Sequence, residues 1–248
     1  SNNSKFMQIL NQFRLLIGVL KDNDLDRMAS RLNNTIKLGK DIWTIDLMAV
    51  LSPHIPEYEI DGTERRSSIH VLHIGDISTG KSQSIKLCKK LSPKYDDPSG
   101  FTKAEFVGAF DPAEGEIQEG VVDRIQDGNL FIEEFDKFDL DEKVMRIVYD
   151  NGRLNEKKGG HRKQKDVNTS LIVGANPKDD FFLEKGNNMR EQIPFEEGTL
   201  SRFDAVVPLM NTENDMKEIV DGMNLFGGSD DLDMEELKKT VNALKSKC

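Results

Sequence analysis

Two cysteines in 248 residues, Cys88 and Cys248, are too few for a disulfide framework. That scarcity excludes the small secreted scaffolds and makes a reducing compartment the expectation, cytoplasmic (beside a nucleoid) or nuclear. No apolar run approaches the length of about 20 residues that a spanning helix needs. No signal-peptide pattern is visible either, so no membrane partner is expected. Positive charge is also in short supply: the net charge is −10, which rules out attraction of nucleic acid by the surface as a whole. Any such binding has to come from a local basic patch. Internal repeats and low-complexity tracts are missing. What remains, 37% hydrophobic and 31% charged, reads as a folded chain with enough length for one large α/β domain, or one with helical additions. The opening Ser1-Asn2 reads as a cloning remnant, and the stop at Lys247-Cys248 as a cut end.

The most informative stretch is Gly75-Asp76-Ile77-Ser78-Thr79-Gly80-Lys81-Ser82, followed by Gln83. Gly, four residues, then Gly-Lys-Ser is the phosphate-loop pattern. Its glycines allow a tight turn that points backbone N–H groups at phosphate oxygens. Lys81 supplies a cation for the β- and γ-phosphates, and the Ser82 hydroxyl is a ligand for Mg²⁺. The apolar run from Ile69 to Ile74 predicts a buried strand before it. Ile85, Cys88 and Leu91 predict a helix after it, stopped by Ser92-Pro93. A chance glycine-rich turn is the competing reading. Strand before and helix after favour a bound nucleoside triphosphate, with ATP and Mg²⁺ as the expected ligands.

Upstream, Phe6 to Leu20 carries apolar residues at helical spacing, and Ile42 to Leu51 predicts a second helix ended by Ser52-Pro53. The polar residues between them, with Asn33-Asn34 and Gly39 as breakers, read as a connector. Glu57 to Ser68 reads as a loop or short helix. The expected division is 1–60 for N-terminal helices and linker, and 61–248 for the core. Downstream, Pro93 to Gly128 reads as a long insertion with a hairpin near Asp111-Pro112. Leu130-Phe131-Ile132 predicts a short strand running into Glu133-Glu134-Phe135-Asp136. Two carboxylates ending a buried strand call for a positive partner. Glu133 is therefore assigned to Mg²⁺ and Glu134 to the attacking water, with solvated surface acids as the alternative. A helix is predicted over Asp141 to Tyr149, ended by Asn151-Gly152.

Lys157-Lys158-Gly159-Gly160-His161-Arg162-Lys163-Gln164-Lys165 concentrates positive charge in an acidic protein. It reads as a hairpin gripping nucleic-acid phosphates, or as a solvated turn. Leu171 to Ala175 predicts a third strand, ending at Asn176-Pro177, where an Asn side chain can orient the lytic water. Arg202, in Leu200-Ser201-Arg202-Phe203-Asp204, precedes a strand over Ala205 to Leu209 and reads as an arginine finger or a surface ion-pair partner. From Asn211 on the chain is acidic, and a helix is expected from about Met234.

In this order the motifs resemble the AAA+ ATPase domain of the minichromosome maintenance (MCM) helicases. Gly75 to Gln83 looks like the family's Walker A and Ile132 to Lys137 like its Walker B. Gly174-Ala175-Asn176-Pro177 is similar to sensor 1, and Leu200 to Asp204 to the arginine-finger motif. Leu51-Ser52-Pro53-His54-Ile55 lies where the family has a Pro-containing segment. The resemblance implies a three-layer α/β P-loop NTPase with a central parallel sheet, hairpin insertions and a C-terminal lid of which little is included. The catalytic set would be Lys81, Glu134, Asn176 and, in trans, Arg202, with metal ligands Ser82 and Glu133. It implies a DNA partner reached through Lys157 and Lys158, and a homo-oligomeric ring, hexameric by expectation.

The sequence departs from the family at Glu133, where an aspartate is usual, and in its acidic helix-2 insert (Glu105, Asp111, Glu114, Glu116, Glu119). Two rival readings stay open. One is an AAA+ protein remodeller of chelatase or MoxR type; the other is a nucleotide-binding subunit with weak catalysis.

Overall fold

The computed structural model describes residues 22–210, apart from 55–57, 61–62, 66, 99–101, 139–141, 150–152, 159–160 and 183–187, together with Lys239. The expected helix over Phe6 to Leu20, the Asn151-Gly152 stop, the Gly159-Gly160 tip and the acidic stretch from Asn211 lie outside the described residues.

The first described element corrects the sequence reading. Asp22–Thr35, where polar residues and the Asn33-Asn34 breaker predict no helix, is a helix that contains Asn33 and Asn34. Leu25, Met28, Ala29 and Leu32 repeat at i, i+3, i+4 and i+7 and are all buried, so a single apolar stripe overrides the polar composition. The helix Lys40–Leu51 follows, as expected, and ends in a 3-10 turn at Ser52–His54. The segment expected as a loop or short helix is instead a hairpin of β1 (Tyr58–Ile60) and β2 (Thr63–Arg65).

Next in the chain come β3 (Val71–Gly75), the helix Lys81–Leu91 and β4 (Tyr95–Asp96). The short helix Lys103–Val107 leads to a hairpin of β5 (Phe110–Asp111) and β6 (Glu116–Ile117), then the turn of helix Val121–Arg124. After these come β7 (Gly128–Ile132), the helix Glu142–Tyr149, the hairpin of β8 (Arg153–Lys158) and β9 (His161–Asp166), β10 (Thr169–Ala175) and β11 (Ala205–Leu209).

Five strands form one parallel sheet in the order β11-β3-β10-β7-β4. The inner strands β3, β7 and β10 are buried along their whole length, as parallel strands covered on both faces must be. Alternation sorts their side chains into two cores. Val71, Phe131 and Ile172 pack with the Asp22–Thr35, Lys40–Leu51 and Lys81–Leu91 helices. Leu72, Ile74, Leu130, Ile132, Leu171 and Val173 pack on the other face with Phe106, Val122, Met145 and Val148. The result is the expected three layers. Pro208 sits in β11, an edge strand, where its missing N–H breaks no inner ladder.

The stretch expected to be a pure insertion contributes the second edge strand, β4, whose two residues carry no periodicity to read. The hairpin near Asp111-Pro112 is present as β5 and β6, and it lies against β9.

Candidate nucleotide-binding site

All five strands of the sheet point the same way, so the loops leaving β3, β10 and β7 emerge along one edge. Open parallel sheets bind ligands outside the carboxyl ends of their strands. β3 leaves the sheet through Gly75, where a Cβ would stand 2.1 Å from the Leu209 carbonyl oxygen. Only glycine lets β11 approach so closely. The Asp76 N–H donates to that same carbonyl at 3.0 Å. The buried Asp76 carboxylate accepts the Phe182 N–H at 2.7 Å, tying this loop to the one after β10. Thr79 Oγ1 donates to the Asp76 carbonyl at 2.8 Å and tightens the turn. Ile77 and Ser78 are exposed at its crest.

Gly80 takes a left-handed conformation, φ 87°, as N-cap of the 11-residue helix Lys81–Leu91. A glycine cap has no side chain to offer, and no side-chain bond caps this helix. The first-turn amides, where Ser82 and Gln83 sit exposed, therefore point their partial positive charge out of the loop. An anion is the natural complement. Lys81 Nζ donates to the carbonyls of Gly75 and Asp76. Burial lowers its pKa below the usual lysine value, against the opposing pull of Asp76, Asp136 and Asp180.

The acidic pair lies at the end of β7. Glu133 Oε1 accepts from Lys89 Nζ at 3.0 Å, and the same ammonium reaches Asp97 Oδ2 at 3.1 Å. Burial works against the Lys89 charge, but the hydrogen bonds to Glu133 and Asp97 outweigh it and raise its pKa. Glu134 has left-handed backbone, φ 57°, and its exposed carboxylate accepts from Lys137 Nζ at 3.0 Å. Asp136 Oδ1 accepts the Asn176 N–H at 3.0 Å and so clamps the β7 exit to the β10 exit. Asn176 Nδ2 in turn reaches Asp180 Oδ1 at 3.4 Å.

Lys81, Glu133, Glu134 and Asn176 thus leave the sheet along one edge. The carboxylates that act on the Lys81 charge are Asp76, Asp136 and Asp180, whereas Glu133 and Glu134 bond to Lys89 and Lys137. Arg202 is not brought to Lys81 within the chain. It lies just before β11, whose first residue pairs with Val71, and Asp204 Oδ2 accepts the His70 N–H at 2.9 Å. That is the opposite end of β3, roughly 16 Å from Gly75 at strand rise. Lys157 and Lys158 sit near the tip of the β8/β9 hairpin, opposite Arg162 and His161.

Several residues near the loop escaped the sequence reading. Asp136 was legible as the third acid of the Glu-Glu-Phe-Asp string. Lys89 was legible as the residue four after buried Ile85 on the loop helix. Ile36 and Leu38 had no signal, and they approach to 3.4 and 3.3 Å of where a Gly80 Cβ would be.

The donor set suits Mg²⁺ carried in with a phosphate. Among the described residues no cluster of three or more His, Cys, Asp or Glu side chains is set to hold a metal by itself. Mg²⁺ ordinarily takes only one or two carboxylates and completes its shell with water and phosphate oxygens. Ser82 offers one hydroxyl oxygen and Glu133 one carboxylate, whose Oε1 is engaged by Lys89 at 3.0 Å.

A parallel β11-β3-β10-β7-β4 sheet with a glycine-capped loop helix after β3 is the fold of the P-loop NTPases. The match to the MCM P-loop domain runs over residues 14–221, and the chain belongs to the MCM family. It is 27% identical over 194 residues to a maternal DNA replication licensing factor mcm6 of Xenopus tropicalis, covering 75% of this chain and 22% of that one. DNA replication licensing factor mcm5 of Dictyostelium discoideum is 27% identical over 167 residues, 64% of this chain and 22% of its own. A maternal mcm3 of Xenopus laevis is 29% identical over 171 residues, 65% and 21%. The chain spans about a fifth of the length of these curated relatives. Among the described residues no helix is long and apolar enough to cross a membrane.

Proposed function

We propose that this chain is the motor module of a ring-forming DNA helicase of MCM type, binding ATP on residues 75–83 and hydrolysing it by in-line attack of water. The observation that carries the reading is the convergence of the Lys81 loop, the Glu133-Glu134 turn and Asn176 on one edge of a single parallel sheet. Lys81 is assigned to the β- and γ-phosphates, Glu134 to orienting and deprotonating the water, and Asn176 to holding that water in line. Ser82 and Glu133 would hold Mg²⁺, which supplies charge neutralisation on the phosphate oxygens. The first-turn amides after Gly80 add fixed positive dipoles at the same place.

Arg202 stands at the far end of β3 from its own loop, which favours action on a neighbouring subunit's nucleotide. Complete sites then exist only between subunits of a ring, here taken as a hexamer of copies. Lys157 and Lys158, near the tip of the β8/β9 hairpin, are assigned to a DNA strand that moves with nucleotide state. The names of the relatives, DNA replication licensing factors, support action on DNA in a nucleus or nucleoid.

The deciding experiment is ATP turnover of the full-length protein against its Glu134→Gln variant. A loss of about a hundredfold or more is expected for removal of a general base. The engagement of Glu133 by Lys89 and of Glu134 by Lys137 favours a second reading, a nucleotide-binding subunit with weak catalysis. Equal, slow turnover in wild type and Glu134→Gln would select it and eliminate the motor.

A further inference from the structure

Among the described residues, Lys89 is the one partner of the Glu133 carboxylate. Its side chain is largely buried, 14% exposed, and its ammonium bridges Glu133 Oε1 at 3.0 Å to Asp97 Oδ2 at 3.1 Å. The geometry of the helix makes this pairing consequential. Lys89 stands seven residues beyond Ser82, about 10 Å further down the axis at helical rise. Seven residues are close to two turns, so Lys89 lies on the same helix face as Ser82, and the Glu133 Oε1 that it bonds is held at that face.

We infer that Lys89 is a positioning residue that competes with Mg²⁺ for Glu133 and so sets the Mg²⁺ concentration at which nucleotide is bound tightly. This rests on the proposed assignment of Glu133 to the metal. The competition has two parts. Lys89 holds one of the two Glu133 oxygens, Oε1, and its own positive charge opposes a second cation nearby. Asp97, at the end of β4, makes the exchange reversible: when Glu133 turns away, Lys89 keeps a carboxylate and is not left as an unpaired charge on a largely buried side chain. The wider consequence is a module that holds nucleotide strongly only when free Mg²⁺ is sufficient.

The test is a titration of the full-length protein with fluorescent N-methylanthraniloyl-ATP at a series of MgCl₂ concentrations, in wild type, Lys89→Met and Asp97→Asn. Lys89→Met frees Glu133 and moves the Mg²⁺ midpoint for binding down by about fivefold, the scale of one partly exposed ion pair. Asp97→Asn leaves Glu133 as the sole carboxylate for Lys89 and moves the midpoint up. Opposite directions are the signature, because general loosening of the fold would move both variants the same way.

An unchanged Lys89→Met midpoint, or a shift in the same direction in both variants, overturns the competition while Mg²⁺-dependent binding in wild type leaves the nucleotide reading standing. A wild type that binds no analogue at any MgCl₂ concentration overturns that reading and the inference with it. Should circular dichroism show that Lys89→Met does not fold, Asp97→Asn decides alone: Asp97 is 48% exposed, and an unmoved or lowered midpoint counts against the proposal.

Discussion

His73 Nε2 lies 2.7 Å from Asp46 Oδ1, with both side chains sealed in the interior between β3 and the Lys40–Leu51 helix. His73 Nδ1 and Asp46 Oδ2 are buried with no hydrogen-bond partner. The pair therefore depends on a single contact. His73→Leu leaves a carboxylate buried with neither oxygen bonded, and a loss of about 3–5 kcal/mol is expected. Combining His73→Leu with Asp46→Val removes both polar groups and should recover most of that loss. Urea unfolding of the two variants measures this directly. A single variant as stable as wild type would show that the contact carries no weight.

The same interior holds Cys88. Burial, and secondarily the Asp46 charge, push its thiol well above the usual value of 9.0. With Cys248 replaced by Ser, the native chain should resist a thiol reagent at pH 8 and react only at the rate at which it opens. The sign of the pH dependence follows from linkage. Above pH 9.0 the unfolded chain releases a proton that the folded chain retains, so Cys88 makes stability fall as pH rises. Cys88→Ala should flatten that part of the profile.

Asp136 supports Lys81 by charge and Asn176 by a hydrogen bond. Asp136→Asn keeps an acceptor for the Asn176 N–H and removes the charge. Because Asp136 opposes the lowering of the Lys81 pKa, its neutralisation lets that pKa fall further. The alkaline loss of nucleotide affinity should then begin at lower pH than in wild type. Fluorescent-ATP titrations from pH 8 upward report the shift; coincident profiles would exclude a role for Asp136 at this lysine.

Lys157 and Lys158, on β8 with Arg162 and His161 opposite, concentrate charge at one end of the hairpin. If that hairpin holds DNA, replacing both lysines by Ala removes DNA-stimulated turnover. The slope of log affinity against log salt should also fall by about two, one for each phosphate that a lysine no longer neutralises. Retained stimulation would remove these lysines from the DNA contact, and a wild type that DNA does not stimulate would favour the protein-remodelling reading.

Much of this architecture was legible before any coordinates. β3, β10 and β11 fall where their apolar runs are, and the loop helix ends at Leu91 before Ser92-Pro93. Two elements were hidden for opposite reasons. The helix Asp22–Thr35 carries buried Leu25, Met28, Ala29 and Leu32 among so many polar residues that composition masked the period. The strand β4 is two residues long and has no period at all; its pairing with β7 alone defines it.

Local sequence determined what depends on neighbours in the chain: the Gly80 turn, the helix behind it, the buried strands, and the identity of the groups at their ends. A motif names those groups because their spacing and conformational freedom are properties of a few adjacent residues. Which charge each group meets was decided only by the tertiary structure. Lys89 reaches Glu133 across 44 positions, and His73 reaches Asp46 across 27, because the fold packs the Lys81–Leu91 and Lys40–Leu51 helices against strands distant in sequence. Pair energies depend on distance and burial, and neither is written in the spacing of a motif.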